Sequence, residues 1–219
     1  MDKQIDLFKT FLYNCTDFIK SNKNKNKNKN TFIYDSNEPL KAGVIPDGTT
    51  ELIFGDSFNQ PLEKGIIPNS VTRVTLGKNF NQPLEEGIIP NSVTYIIFGW
   101  YFNKRLKKGD IPNSVTHIIF GFNFNHLLEE GIIPNGVTHI MFGSCFNQLF
   151  KKGVIPNSVT HLMFGWRFDQ PLYNIISKNI ICLILFEEYP YKNSFKNNNT
   201  LLCYYTINCY MKYNNIKIS

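Results

Sequence analysis

The sequence predicts a β-solenoid, a coil of short repeated turns whose strands form one parallel sheet. A hexapeptide close to Ile-Pro-Asn-Ser-Val-Thr recurs at intervals of 22 residues, and a Gly and a Phe-Asn recur in step with it. Between them, Val-Thr-x-Ile-x-Phe has the alternating β-branched and aromatic pattern of a short strand. One strand per repeat, always connected in the same direction, gives a parallel sheet of about six rungs. The hexapeptide begins at Ile45, Ile67, Ile89, Ile111, Ile133 and Ile155.

The length of the repeat narrows the type of solenoid. A period of 22 residues lies within the range of leucine-rich repeats and outside that of repeats built from helix pairs. Gly, Pro and Asn interrupt each repeat before the next strand begins, which leaves no room for a long helix. We therefore expect a leucine-rich-repeat-like solenoid with irregular turns, whose six strands extend over roughly 24 Å.

The spacing of Phe-Asn and Ile-Pro resembles that of the FNIP repeat, over about residues 45–172. The sixth copy departs from the pattern, with Phe168-Asp169 and no Ile-Pro after it. The resemblance implies a fold similar to leucine-rich repeats and, for most members, no assigned activity. Some members carry an F-box, which implies adaptors in ubiquitin ligation, but this N-terminus has no F-box-like Leu-Pro segment. The matching pairs are Phe58-Asn59, Phe80-Asn81, Phe102-Asn103, Phe124-Asn125 and Phe146-Asn147.

Two segments precede the repeats. Residues 1–20 place Ile5, Phe8 and Leu12 at spacings of three and four, which predicts an amphipathic helix. Its favoured role is to cap the open end of the solenoid, and the alternative is to bind a partner or to dock elsewhere. Residues 21–31 are an Asn/Lys low-complexity linker, expected to be solvated and unstructured.

The repeats themselves occupy residues 32–172, and the pattern decays after them. Residues 173–186 resemble a seventh rung that has lost its Pro and Gly, and are expected to form that rung or a cap. Residues 187–219 are rich in Asn, Lys and Tyr and show no period, so the sequence assigns them no fold.

Positions repeated in every rung are expected to hold the fold together. The residue that ends each strand and the Phe of Phe-Asn would point inward and stack, each contributing on the order of 2–3 kcal/mol by burial. The Asn of Phe-Asn and the Asn of Pro-Asn would form ladders, their amides bonding backbone groups that the turns leave unpaired. The inward strand-end residues are Phe54, Leu76, Phe98, Phe120, Phe142 and Phe164.

The charged pair that follows the conserved apolar position of each rung alternates in sign. Each pair would then lie opposite its complement one strand spacing away, whereas stacked like charges would repel. Exposed pairs contribute only about 0–1 kcal/mol each, so we expect them to tune register more than stability. The pairs are Glu63-Lys64, Glu85-Glu86, Lys107-Lys108, Glu129-Glu130 and Lys151-Lys152.

Outward residues that vary between rungs are expected to carry function. In the strand at residues 71–76 the two variable positions face away from the core, and the loop after the next Gly continues that surface. Along the rungs this surface changes from charged to aromatic and apolar, which predicts a contiguous exposed patch that binds another protein. The predicted site is Tyr95, Trp100, Tyr101, His117, Phe122, His139, Met141, His161, Met163 and Trp166.

Two other interpretations of this patch remain open. The same side chains could be covered by the chain's own tail. The chain could also be a structural or degenerate family member without a specific partner, in which case the varying positions serve no recognition.

The histidines at 117, 139 and 161 lie one rung apart and would form a column. Zinc needs nitrogens that converge to about 2.0–2.1 Å from one ion, and Cys145 is the only thiol nearby. We therefore expect no metal here, but stacked exposed imidazoles that titrate near pH 6–7 and repel one another when charged.

No catalytic or cofactor-binding motif is present. The sequence lacks a Gly-rich phosphate loop, a Gly-x-Ser-x-Gly and a His-Glu-x-x-His. The carboxylate pairs of the rungs lie opposite lysines, which explains them without catalysis. We expect no enzyme, no catalytic residues and no cofactor.

The net charge of +6 is concentrated at the two ends of the chain. Residues 1–30 carry +4 and residues 173–219 carry +3, whereas the body between them carries −1, so the repeats are not expected to bind nucleic acid. No apolar run is long enough for a membrane span, no secretory signal opens the chain, and the cysteines are odd in number. We expect a cytoplasmic protein without membrane association.

Overall fold

A computed structural model describes residues 30–173, 175–195 and 201–205 of the 219-residue chain. The amphipathic helix predicted at 1–20 lies outside the described residues. So do nearly all of the predicted linker at 21–31 and most of the tail beyond residue 195.

The described residues form one sheet of nine strands that follow one another in chain order. Each strand pairs in parallel with the next, which confirms the predicted parallel solenoid. A 3-10 helix lies between the last two strands, at Lys192–Phe195. The strands are β1 Thr31–Tyr34, β2 Glu51–Phe54, β3 Arg73–Thr75, β4 Tyr95–Ile97, β5 His117–Ile119, β6 His139–Met141, β7 His161–Met163, β8 Cys182–Phe186 and β9 Leu201–Tyr205.

The register advances by one full repeat per strand from β2 to β7, the six strands that the motif predicts. The sheet extends beyond them at both ends. Before them, β1 pairs Thr31 with Glu51, a spacing shorter than the repeat that breaks the period. After them, β8 lies within the segment at 173–186, and β9 lies in the tail to which the sequence assigned no fold.

The core is filled by two parallel columns of phenylalanine rings, as predicted. In the column of strand-end residues, the rings of Phe98 and Phe120 stack with centroids 5.2 Å apart. In the column of Phe-Asn residues, Phe80 and Phe102 stack at 6.3 Å. The strand-end residues and the Phe of Phe-Asn are at most 3% exposed from β2 to β7. Burial on this scale is the main stabilising contribution of the fold.

The glycine after each strand is required because neighbouring rungs approach one another closely there. A Cβ atom added to Gly99 or Gly121 would overlap the carbonyl oxygen of the glycine one rung earlier. Backbone on one side and core on the other leave no room for a side chain. This explains why the same position is Gly from β2 to β7.

The ladder predicted for the Asn of Phe-Asn is present. The Oδ1 atom of Asn81 accepts a hydrogen bond from the backbone N–H of Asn103 at 2.9 Å, and that of Asn103 accepts one from Asn125 at 3.0 Å. The same bond recurs from Asn37 to Asp169. Each amide satisfies a turn N–H that has no partner in the sheet.

The ladder predicted for the Asn of Pro-Asn is wrong. These asparagines are exposed, and the serine that follows them makes the connection instead. Ser92 Oγ donates to the carbonyl of Val71 at 2.7 Å, and Ser114 Oγ donates to that of Val93 at 2.6 Å. The shorter serine side chain reaches back to the previous rung, whereas the asparagine one position earlier points to solvent.

The charged pairs lie on the surface of the turns. The ion pair observed there among the described residues joins Arg105 to Glu129 at 2.7 Å, and both side chains are mostly exposed. The second member of a pair extends over the glycine of the next rung, as Lys64 does over Gly87. Gly87 has a φ of 86°, a left-handed conformation that glycine adopts without a steric penalty.

Aromatic rings close both ends of the core columns. At the β1 end, the ring of Tyr34 packs edge-on against Phe58 with centroids 5.6 Å apart. At the other end, Tyr189 stacks on Phe168 at 6.0 Å and donates a hydrogen bond to the carbonyl of Gln170. Residues outside the repeat motif therefore cover the core at both ends.

Candidate recognition face

The outward face of the sheet is set by the alternation of side chains along the strands. The second residue of each strand points into the core, so the first and third residues point outward. From β2 to β8 the first residues form what we call the outer column: Glu51, Arg73, Tyr95, His117, His139, His161 and Cys182. The third residues form what we call the second column: Ile53, Thr75, Ile97, Ile119, Met141, Met163 and Ile184.

The outer column is a continuous stack of planar groups. The ring of His139 lies 4.2 Å from that of His117 and from that of His161, nearly parallel to both. Tyr95 stacks on His117 at 5.0 Å, and the guanidinium of Arg73 lies over the Tyr95 ring at 5.1 Å. The histidine column that the sequence predicts is therefore present on three rungs. With Tyr95 and Arg73, the stack of planar groups extends over five rungs.

Each histidine is fixed by the threonine before it. Thr116 Oγ1 lies 3.1 Å from the carbonyl oxygen of Thr94 and 2.8 Å from Nδ1 of His117. The hydroxyl and the ring nitrogen therefore share one hydrogen bond, which fixes the plane of the imidazole. The same arrangement recurs at His139 and His161, so the three rings share one orientation.

The expected titration near pH 6–7 is wrong, because the column is partly buried. Loss of solvation lowers the pKa of His117, His139 and His161, and the positive charges of Arg73 and His161 lower that of His117 further. Burial together with its two histidine neighbours lowers the pKa of His139 to about 3. The three imidazoles are neutral at physiological pH. Protonating two neighbouring rings would place like charges about 4.2 Å apart, which is unfavourable.

The second column is apolar and mostly buried, which corrects the expected exposure of the predicted patch. Met163 is 1% exposed, Ile97 6% and Ile119 7%, and Tyr95 of the outer column is only 7% exposed. Met141 and the three histidines are half-buried. Alternation along a strand gives the direction in which a side chain points, but not whether another layer lies above it.

The accessible part of the predicted site lies just beyond the strands. We call it the aromatic rim; it comprises Trp100, Tyr101, Phe122 and Trp166. Trp100 and Phe122 stack with centroids 4.5 Å apart and planes 2° from parallel. Tyr101 is 43% exposed, and the Arg167 guanidinium lies 4.7 Å from the ring of Trp166.

Backbone hydrogen bonds hold the rim turns in step with the rungs. The N–H of Tyr101 donates to the carbonyl of Lys78 at 3.0 Å, and that of Asn123 donates to the carbonyl of Trp100. This ladder holds the rim aromatics on a rigid scaffold. Rigid aromatic side chains lose little conformational entropy when they bind, which favours recognition.

The rim is divided into two parts and is not contiguous. Ser144 occupies the position between Phe122 and Trp166 and is completely buried. Trp166 therefore lies two rungs from Phe122, roughly 10 Å away. The structure brings together Trp100, Tyr101 and Phe122, and sets Trp166 apart with Arg167.

Among residues 30–173, 175–195 and 201–205, no group of three or more His, Cys, Asp or Glu side chains is placed to hold a metal ion. A groove of about 750 Å³ lies along the Ile-Pro-Asn turns and is lined by residues of three successive turns, among them Glu86. No helix in the described part of the chain is long and apolar enough to cross a bilayer.

Comparison with known proteins agrees with this architecture. The family model for the FNIP Repeat matches residues 37–79, 58–101, 80–121, 102–145 and 146–187. Among solved structures, CroV588, described as a novel circular LRR protein structure, matches with a TM-score of 0.72 and 38% sequence identity. The match covers 80% of this chain and 26% of that chain, so this chain spans about a quarter of the length of CroV588. No curated protein matches the chain.

Proposed function

This chain belongs to the FNIP repeat family, and on that premise we propose that it is a non-enzymatic scaffold that binds another protein through its outward face. The observation that carries the proposal is the aromatic rim, where Trp100, Tyr101 and Phe122 stand together on hydrogen-bonded turns. Trp and Tyr are the side chains that most often dominate binding energy at protein interfaces.

The variation between rungs supports the same proposal. At the rim position of Trp100 the equivalent residues are Asp56, Lys78, Phe122, Ser144 and Trp166, whereas the core Phe two residues later never changes from β2 to β7. A position that packs only within the solenoid would be expected to repeat as the core does. Divergence beside a fixed backbone is what a recognition surface requires.

The proposal is tested by affinity capture from native lysate. The wild-type chain and the variant Trp100→Ala/Tyr101→Ala/Trp166→Ala are compared, with circular dichroism to establish that both fold. We expect the wild type to retain a specific protein that the rim variant loses, because each anchor contributes more than about 1 kcal/mol to binding.

A matched control uses exposed apolar residues elsewhere. Leu127 and Leu149 are 41% and 54% exposed and lie on the turns, so Leu127→Ala/Leu149→Ala removes exposed apolar surface away from the rim. This control should retain the partner. Equal capture by wild type and the rim variant would contradict the proposal for the rim, and capture of nothing by the wild type would favour a structural family member without a partner.

A further inference from the structure

The second column and part of the outer column are buried although they point away from the core. Apart from the half-buried Met141, their apolar members lie outside the main hydrophobic cluster and are at most 7% exposed, with Met163 and Ile184 only 1% exposed. A side chain on the open face of a sheet keeps its outer end in water unless another layer packs on it. The buried members are Ile53, Tyr95, Ile97, Ile119, Met163, Cys182 and Ile184.

The described elements do not supply that layer. Between Asn30 and Tyr205 they are the nine strands of the sheet and the 3-10 helix at Lys192–Phe195. That helix packs Phe195 near Tyr189 at the end of the core columns, not on the outward face.

We propose that residues 4–19 of this chain form the missing layer, as an amphipathic helix docked on the outer and second columns. The sequence places Ile5, Phe8, Leu12, Cys15 and Ile19 along one side of that predicted helix. A helix of this length extends about 24 Å. From β3 to β8 the face extends about 24 Å as well, at about 4.8 Å per strand.

The point where the chain enters the sheet makes this contact reachable. Asn30 precedes β1, and its carbonyl accepts hydrogen bonds from the N–H groups of Thr50 and Glu51, beside the start of the outer column. The linker at residues 21–30 spans up to about 35 Å when extended. It is long enough for the helix to reach any rung of the face.

The same geometry argues against a cap at the open end. The β1 end of the core is already closed by Tyr34, whose ring packs against Phe54 and Phe58. The outward face is the larger apolar surface on which no described element packs. An all-parallel sheet with an apolar column on both faces is typical of one covered on both sides.

Docking there leaves the aromatic rim open. This inference does not rest on the proposed function, because coverage of the face is measured without any partner.

The test is site-resolved alkylation of the native full-length chain, quantified by mass spectrometry for each cysteine. The variant Phe8→Asp/Leu12→Asp places charges on the apolar side of the predicted helix, and Thr10→Asp places one on the opposite side as a control. We expect Cys182 to react on the order of tenfold faster in the first variant and at the wild-type rate in the control. Cys15 should accelerate together with Cys182, whereas Cys145 beside the rim should not.

Several outcomes would overturn the inference. Fast alkylation of Cys182 in the wild type would show that the face is uncovered, and unchanged protection in Phe8→Asp/Leu12→Asp would show that another layer covers it. Deprotection by Tyr210→Asp/Met211→Asp, with none from the N-terminal variant, would assign the layer to the C-terminal tail. Protection lost on dilution of the wild type would assign it to a second copy.

A milder variant covers the case in which the aspartates prevent folding. Phe8→Ala/Leu12→Ala should accelerate Cys182 in the same direction by a smaller factor, with a circular dichroism spectrum like that of the wild type. Failure of this variant to change Cys182 while the fold is retained would overturn the inference. Neither result affects the capture experiment at the rim, so either proposal can be contradicted without the other.

Discussion

The inward and outward columns of the sheet differ in how strictly each position repeats. Inward, the Phe of Phe-Asn is the same residue in all six rungs from β2 to β7, and stacked rings lie about 6 Å apart. Outward, the equivalent series passes from Glu51 through Tyr95 to His161 on the same backbone. Strict repetition therefore marks packing between rungs, and variation marks the surface that can diverge without loss of the fold.

The largest expected effect comes from comparing an inward and an outward phenylalanine of the same rung. Phe124 is completely buried between Phe102 and Phe146, so Phe124→Ala should lower the free energy of unfolding by about 3–5 kcal/mol. Phe122→Ala, two residues earlier on the rim, should lower it by less than about 1.5 kcal/mol. Denaturant titrations measure both, and equal losses would show that the outward side also carries the fold.

Acidification probes the outer column. Because burial lowers the pKa of the column histidines below the unfolded value, their stabilising contribution is full above about pH 6.5 and is lost as the pH falls towards the folded pKa. His139→Tyr keeps a stacking ring, as at Tyr95, but removes one proton site. Between pH 6.5 and 4.5 the variant should lose about 2 kcal/mol less stability than the wild type.

A His139→Tyr variant whose stability follows the wild-type pH profile would contradict the lowered pKa of the column.

The two asparagines of one rung should differ in their contribution to stability. Asn103→Ala leaves the N–H of Asn125 without its acceptor and should lower the free energy of unfolding by about 1–2 kcal/mol. Asn113→Ala, at an exposed Pro-Asn position, should change it by less than about 0.5 kcal/mol. Thermal and urea unfolding would measure the pair, and a larger loss at position 113 would contradict the observed ladder.

The smallest expected effect is a gain. Gly136 replaces the ladder serine of its rung, so Gly136→Ser should donate to the carbonyl of Val115 as Ser114 does to Val93. The new Cβ would lie 3.0 Å from the carbonyl oxygen of Asn113, which requires a small shift of that neighbour. We expect a gain of about 0.5–1 kcal/mol from the hydrogen bond and the reduced freedom of the unfolded chain. Differential scanning calorimetry would show a lower melting temperature if that shift is not possible.

The fold could be predicted from the sequence wherever the repeat is intact. The constant period of the motif determines the register, and the inward Phe columns and the Asn ladder follow from it. The strands β1 and β9 could not be predicted, because neither carries the motif. The role of Tyr189 could have been predicted from its position, because it follows Phe168 by almost one full repeat, close to where the next core aromatic is expected.

The candidate site was predictable in its directions but not in its exposure. Alternation correctly separated outward Tyr95 and Met163 from inward Ile96, yet both outward residues are buried. Their burial depends on what packs above the sheet, and no local pattern in the strands encodes that. The lowered pKa of His139 has the same origin, because histidines spaced by exact repeats predict a stack but not its solvation.

The central claim is that the inward side of the sheet holds the fold and that the aromatic rim on the outward side serves recognition, and a single rung tests it most directly. Phe98→Ala/Phe102→Ala and Trp100→Ala/Tyr101→Ala alter inward and outward aromatics that are close neighbours along the chain. Unfolding free energy and partner capture are measured on both. The account predicts that the first variant is severely destabilised, whereas the second keeps its stability and loses the partner. An outward variant that unfolds as readily as the inward one, or that retains the partner, would contradict it.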